Sequence, residues 1–175
     1  MNYFQLFGLS ANFNIDLAKL SQLYQALQKT VHPDRFAHGS SQQQMIAVQK
    51  SAMINDAYQT LKKPLERAGY LLKLRGTEMP SEQASFSDNQ FLMRQMDLRE
   101  MLAEVKFADD VDSALFEANQ TLEQEFLVLF KAMQTRLAQN TIDADKLAYE
   151  DFRKLKFYQK LQIELERLEE QLLTD

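Results

Sequence analysis

The sequence predicts an all-α protein, and three observations predict it. Turn-forming residues are scarce, with 4 glycines and 3 prolines in 175 residues, too few to punctuate a sheet of many short strands. Apolar residues recur at three- and four-residue steps nearly everywhere, the period of a helix that buries one face. Apolar residues make up 45% and charged residues 26%, close to the globular average, so the helices have cores to build. The length suits one domain or two small ones.

After the aromatic opening Tyr3-Phe4-Gln5-Leu6-Phe7-Gly8-Leu9, a stripe of Leu17, Leu20, Tyr24, Leu27 and Val31 marks a first long helix from Asp16. Pro33 stops it, because its ring disfavours helical geometry at His32 and it offers no amide donor. A polar loop follows to about Ser40. Ser41 with Gln44 reads as a capping box opening the next helix, and Met45, Val48, Ala52, Ile54, Tyr58 and Leu61 are expected on its buried side. Residues 16–61 are thus a helical hairpin. Pro64 suits the first turn of a further helix through Leu65, Ala68, Leu71 and Leu72, and Gly76 suits a left-handed cap at its end.

Residues 76–90, GTEMPSEQASFSDNQ, have the composition of a connector. The expected organisation is therefore a first domain over 1–75, a linker over 76–87 and a second domain over 88–175. The second domain shows helical patterns at roughly 88–106, 110–138 and 144–173, broken at Ala108-Asp109-Asp110 and at Asn140-Thr141. Three such helices with short connections make an antiparallel bundle. In the last, Tyr158, Leu161, Leu165, Leu168 and Leu172 form a seam for coiled-coil-like packing.

Composition excludes several classes. The chain has 0 cysteines, so disulfides, thiolate metal sites and cysteine nucleophiles are absent. A net charge of -5 without a Lys/Arg cluster interleaved with aromatics argues against nucleic acid and favours a basic partner surface. With 2 histidines, His32 and His38, no metal site is expected, and no cofactor either. No apolar run is long enough to span a membrane, and Met1 to Ser10 lacks an export signal, so a soluble cytoplasmic protein is expected.

The sharpest local feature is His32-Pro33-Asp34, one imidazole and one carboxylate on a loop whose shape the proline restricts. It is a pre-ordered docking point; the plainer alternative is an imidazole that caps a helix end. In its setting the tripeptide resembles the signature of a J-domain, the module that stimulates ATP hydrolysis by DnaK-type chaperones. Further along, Ile54-Asn55-Asp56-Ala57-Tyr58-Gln59-Thr60-Leu61, Pro64, Arg67-Ala68 and Tyr70-Leu71-Leu72 are similar to the HscB-type co-chaperones of iron-sulfur cluster biogenesis. The resemblance spans essentially the whole chain. It implies that His32, Pro33 and Asp34, with Lys19, Lys29 and Arg35 as the basic side, dock on a heat shock 70 class chaperone of the HscA type. This helix carries fewer positive charges than a general J-domain, and Arg35 stands where many relatives have lysine.

Helical arithmetic locates a second surface. At about 100° per residue, Phe91, Leu98, Leu102 and Val105 fall in one stripe facing the bundle, while Met93, Met96, Glu100 and Glu104 fall opposite, flanked by Leu92 and Asp97. A bundle helix needs one apolar stripe, so Leu92, Met93 and Met96 are surplus to the core. Methionine is a pliable contact residue and the carboxylates favour a cationic ligand. Phe157 precedes the seam by one position and can join this patch. The resemblance implies the same surface as the site for an IscU-type iron-sulfur scaffold protein; the alternative is that Met93 and Met96 pack against the first domain.

The resulting expectation is a monomeric, non-enzymatic co-chaperone that delivers a scaffold protein to its chaperone. Two other readings compete. An acid-base enzyme would use His32 and Asp34 but lacks a recognisable desolvated pocket. A helical adaptor or homotypic coiled coil, serving other clients through a general chaperone, would use the Tyr158 to Leu172 seam between chains.

Overall fold

The computed structural model describes residues 1–81 and 84–174, with helices and turns and no strand among the described residues. The chain divides into two compact units, Met1–Gly76 and Thr77–Asp175. The first holds α1 (Tyr3–Leu6), α2 (Leu17–Val31), a 3-10 turn (Pro33–Phe36), α3 (Ser41–Lys62) and α4 (Pro64–Leu74). The second holds α5 (Asn89–Glu104), a 3-10 turn (Val105–Phe107), α6 (Val111–Gln139) and α7 (Ile142–Thr174).

In the first unit α2 and α3 form the hairpin. Asp16 starts α2 by accepting the Ala18 and Lys19 amides at 3.0 and 3.2 Å, and Lys29 in the last turn complements the dipole. Near the open end the interface is apolar, with Leu20 and Leu61 fully buried. Toward the loop it is polar. Ser51 Oγ donates to Gln28 Oε1 at 2.9 Å, Gln28 Nε2 returns a bond to the Ser51 carbonyl at 3.2 Å, and the Tyr24 hydroxyl donates to Asn55 at 2.7 Å. The α3 capping box is made by Ser40 and Gln43 rather than Ser41 and Gln44. Of two adjacent serines, the one in extended geometry (φ -65°, ψ 161°) takes the cap.

The buried side of α3 also differs from the expected one. Ile54 and Leu61 are buried as read, but Met45 and Val48 are 61% and 53% exposed, and Ala52 is exposed too. Ala47, Ile54, Ala57 and Leu61 form the core face instead, because small alanines let α3 approach its neighbours closely. The opening segment completes this core: Phe4 and Phe7 are buried, Tyr3 stacks on Tyr70 at 4.5 Å, and the Tyr70 hydroxyl accepts the Tyr3 amide at 2.8 Å. Arg67 is buried on α4, donating from Nε to the Phe13 carbonyl at 2.6 Å and from Nη1 to the Leu61 carbonyl at 2.7 Å. Burial lowers its pKa. Gly76 has φ +72°, the left-handed conformation its place after α4 requires.

The second unit is the three-helix bundle. Its core joins Phe91, Leu98 and Val105, Leu115, Ala118 and Leu122, and Tyr158, Leu161 and Leu165, with Leu168 and Leu172 packed at the edge. The arithmetic stripe of α5 and the α7 seam both face this core. Asp110 caps α6 through the Ser113 amide at 3.1 Å, Asn140 ends it in the left-handed region (φ 52°), and the Thr141 hydroxyl accepts the Ala144 amide at 3.2 Å to start α7. The described residues between Gly76 and α5, though connector-like in composition, include several tied to α7. Tyr149 donates to the Pro80 carbonyl at 2.6 Å, Arg153 donates to the Ala84 carbonyl and lies over the Phe86 ring at 4.3 Å, and Lys154 pairs with Asp88 at 2.9 Å.

Candidate docking surfaces

The end of α2 builds the first site. Pro33 forces the chain out of the helix, and residues 33–36 close a single 3-10 turn with Pro33 at its first position. His32 caps that turn: Nδ1 accepts the Asp34 amide at 3.2 Å and lies 3.5 Å from Asp34 Oδ2. In the neutral ring an accepting Nδ1 puts the proton on Nε2. Arg35 Nη1 donates to the Lys29 carbonyl at 3.1 Å, fastening the turn to the last turn of α2. The side chains remain available, His32 being 55% and Asp34 92% exposed. The imidazole therefore caps a helix end, as the plainer reading has it, and the cap leaves the His32 and Asp34 side chains on the surface.

A shallow groove of about 460 Å³ runs beside the turn, lined by Tyr24, Gln25, Gln28, Lys29, His32, Ser51 and Asn55. It brings Lys29 to His32. Lys19 is exposed on α2 but lies ten residues, roughly 15 Å, down the helix axis from Lys29, so the basic side is thin. Tyr24, Gln28, Ser51 and Asn55 join His32 in this groove from α2 and α3, a meeting of two helices that spacing along one helix does not show.

On the second unit Met93 and Met96 are 67% and 73% exposed. Asp97, Glu100 and Glu104 are exposed beside them, and Leu92 is half-buried. Phe157 is half-buried, meeting Phe91 edge-on at 5.7 Å with the Arg99 guanidinium 5.6 Å above its ring. Leu92 and Phe157 share a groove of about 440 Å³ with Phe86, Gln95, Arg153, Lys156 and Lys160. Asp97, Glu100 and Glu104 line a different groove of about 690 Å³, shared with Met101, Val105, Phe107, Ala114, Glu117 and Ala118. The methionines thus stand on one exposed face with a basic flank toward α7 and an acidic flank toward α6. Helical arithmetic on α5 alone shows neither flank's partners, because they come from other helices.

Beneath this face the bundle is locked. Arg94 makes paired bonds to Glu125 at 2.7 and 2.8 Å, and Tyr158 donates to the same carboxylate at 3.1 Å. Burial, then the Glu125 charge, pushes the Tyr158 hydroxyl well above the usual tyrosine range, and the Glu125 bond raises Arg94. The exposed face therefore sits on a fixed frame.

Among the described residues no group of three or more potential metal ligands converges, and no helix is long and apolar enough to cross a membrane.

Comparison with known proteins converges on one family. Residues 87–166 match the family described as the HSCB C-terminal oligomerisation domain. The chain is 58% identical to a protein named Co-chaperone protein HscB homolog from Colwellia psychrerythraea, covering 100% of both. It is 47% identical to that of Shewanella pealeana, covering 99% of each. Among solved structures it resembles the chaperone HscB from Vibrio cholerae, with a TM-score of 0.88, 45% identity and coverage of 98% and 99%. It also resembles human co-chaperone protein HscB, with a TM-score of 0.88, 31% identity and coverage of 97% and 82%.

Proposed function

The chain belongs to the HscB family of co-chaperones, and from that premise we propose that it is a two-ended adaptor for iron-sulfur protein maturation. The His32-Pro33-Asp34 turn, with Lys29, Arg35 and Lys19, docks on a heat shock 70 class chaperone of the HscA type and stimulates its ATPase. The α5 face, with Leu92, Met93, Met96, Asp97, Glu100, Glu104 and Phe157, holds an IscU-type scaffold protein as client. The adaptor contributes binding and orientation, and the chaperone hydrolyses the ATP.

One observation carries this reading: a single chain presents a hydrogen-bonded, exposed imidazole-carboxylate turn and, on a separate unit, two methionines that no core uses. A pre-ordered turn lowers the ordering cost of docking. Exposed methionines amid carboxylates suit a partner surface that is apolar with a basic fringe.

The competing readings fare worse on physical grounds. As an acid-base pair His32 and Asp34 would work in water, with no desolvated cavity to strengthen them. As a homotypic coiled coil the chain would need its α7 seam, yet Tyr158, Leu161 and Leu165 are 2%, 0% and 0% exposed inside the bundle. We therefore take the protein alone to be a monomer. Capture of both partners tests the division of labour. Met93→Ala with Leu92→Ala should lose the scaffold protein and keep the chaperone, and Asp34→Ala should do the reverse; parallel loss of both partners in either variant would refute two separate ends.

A further inference from the structure

The acidic flank of the α5 face is a groove with its own architecture. Ala114 and Ala118 stand one turn apart on α6, where larger side chains would fill the space against α5. Met101 and Val105 supply the rest of an apolar floor, and the cleft of about 690 Å³ is large enough to receive side chains of a partner. Four carboxylates border it: Asp97, Glu100 and Glu104 from α5 and Glu117 from α6. No ion pair among the described residues involves any of the four. Of two cations in the same stretch, Arg94 is bonded to Glu125 with Asp97 as a lesser electrostatic neighbour, and Lys106 lies over the Phe107 ring at 5.1 Å. Phe107, at the α5–α6 corner, lines the groove while 78% exposed.

Like charges placed together with none of them in an ion pair cost stability, and a ring as exposed as Phe107 buries little apolar surface in the isolated fold. Both features are accounted for by a partner that brings cations and apolar surface together. We propose that the client-binding surface continues from the α5 methionines across this groove onto α6, and that it accepts a lysine- or arginine-bearing segment of the scaffold protein, with Glu117 and Phe107 as added contacts. This rests on the reading of the α5 face as the scaffold site. The groove shares Asp97, Glu100 and Glu104 with that face, so one partner can cover both without a break. The opposite, basic flank beside Phe157 gives the footprint a polarity, which fixes the orientation of the bound partner.

The test is calorimetric titration of the cognate IscU-type scaffold protein into the full-length chain at low and high salt. Wild type is compared with Glu117→Lys, Phe107→Ala and a Met93→Ala/Met96→Ala double variant. Glu117 and Phe107 are exposed, so their variants should keep the wild-type circular dichroism. The proposal expects Glu117→Lys to bind about tenfold more weakly and with a flatter salt dependence, and Phe107→Ala to weaken binding at both salts. If Glu117→Lys and Phe107→Ala bind as wild type while the methionine variant is weakened, the groove is no part of the site and the α5 reading stands. If the methionine variant also binds as wild type, the α5 reading falls and the groove proposal with it.

Discussion

The His32 ring divides its two nitrogens between fold and surface. Nδ1 is used in capping the 3-10 turn, while Nε2 is free to serve the proposed docking. Arg67 is the reverse case, a cation wholly given to the fold. Its guanidinium holds the Phe13 and Leu61 carbonyls and lies over the Phe13 ring at 4.8 Å. Arg67→Met keeps much of the volume but leaves buried carbonyls unpaired, so urea unfolding should show a loss of about 2–3 kcal/mol. The tripeptide was legible because proline announces its own effect on the backbone. The role of Arg67 was not, because a buried charge becomes visible only when the carbonyls it serves are brought to it by the fold.

At the scale of elements, a helix is as stable as its ends and its buried face. The α3 start is tight: a side chain at Gly39 would meet Gln43 Oε1 at 2.6 Å and the Phe36 carbonyl at 3.2 Å, and Gln43 is the returning arm of the capping box. Ser40→Ala should cost about 1 kcal/mol, measured by chemical denaturation. On the bundle, Leu161→Ala should cost about 3 kcal/mol through the cavity it leaves, whereas Met93→Ala, from the exposed side of α5, should stay within about 0.5 kcal/mol. The α5 start has a pH signature. The Lys154 bond, then the Phe91 amide, lowers the pKa of Asp88. A depressed carboxylate stabilises the fold above its unfolded pKa and loses that contribution as pH falls through the folded value. The stability gap between wild type and Lys154→Met should therefore be present near neutral pH and close in acid. Helix positions and the α5 and α7 faces were legible because three- and four-residue spacing is unambiguous over long runs. The α3 face was not, because Met45 and Val48 keep helical spacing on the exposed side while the true contact uses alanines, which carry little hydrophobic signal.

For the whole molecule, the all-α class and the bundle follow from pattern, but the flanks of the α5 face do not. They are assembled from Glu117, Phe107, Lys156 and Lys160, residues of other elements that only tertiary structure places beside Asp97, Glu100 and Glu104 on one side and Leu92 on the other. Sedimentation of the isolated protein should give a single species of 20.4 kDa, since the α7 seam is consumed within the bundle; a concentration-dependent dimer would contradict the monomeric adaptor. The central claim is that the exposed His32-Pro33-Asp34 turn triggers a chaperone on behalf of a client held at the other unit. Its most direct measurement is the ATPase rate of an HscA-type chaperone with scaffold protein present, on adding wild type or His32→Gln. The account predicts that His32→Gln leaves the rate at its unstimulated level while binding scaffold protein with wild-type affinity. Undiminished stimulation by His32→Gln would contradict it.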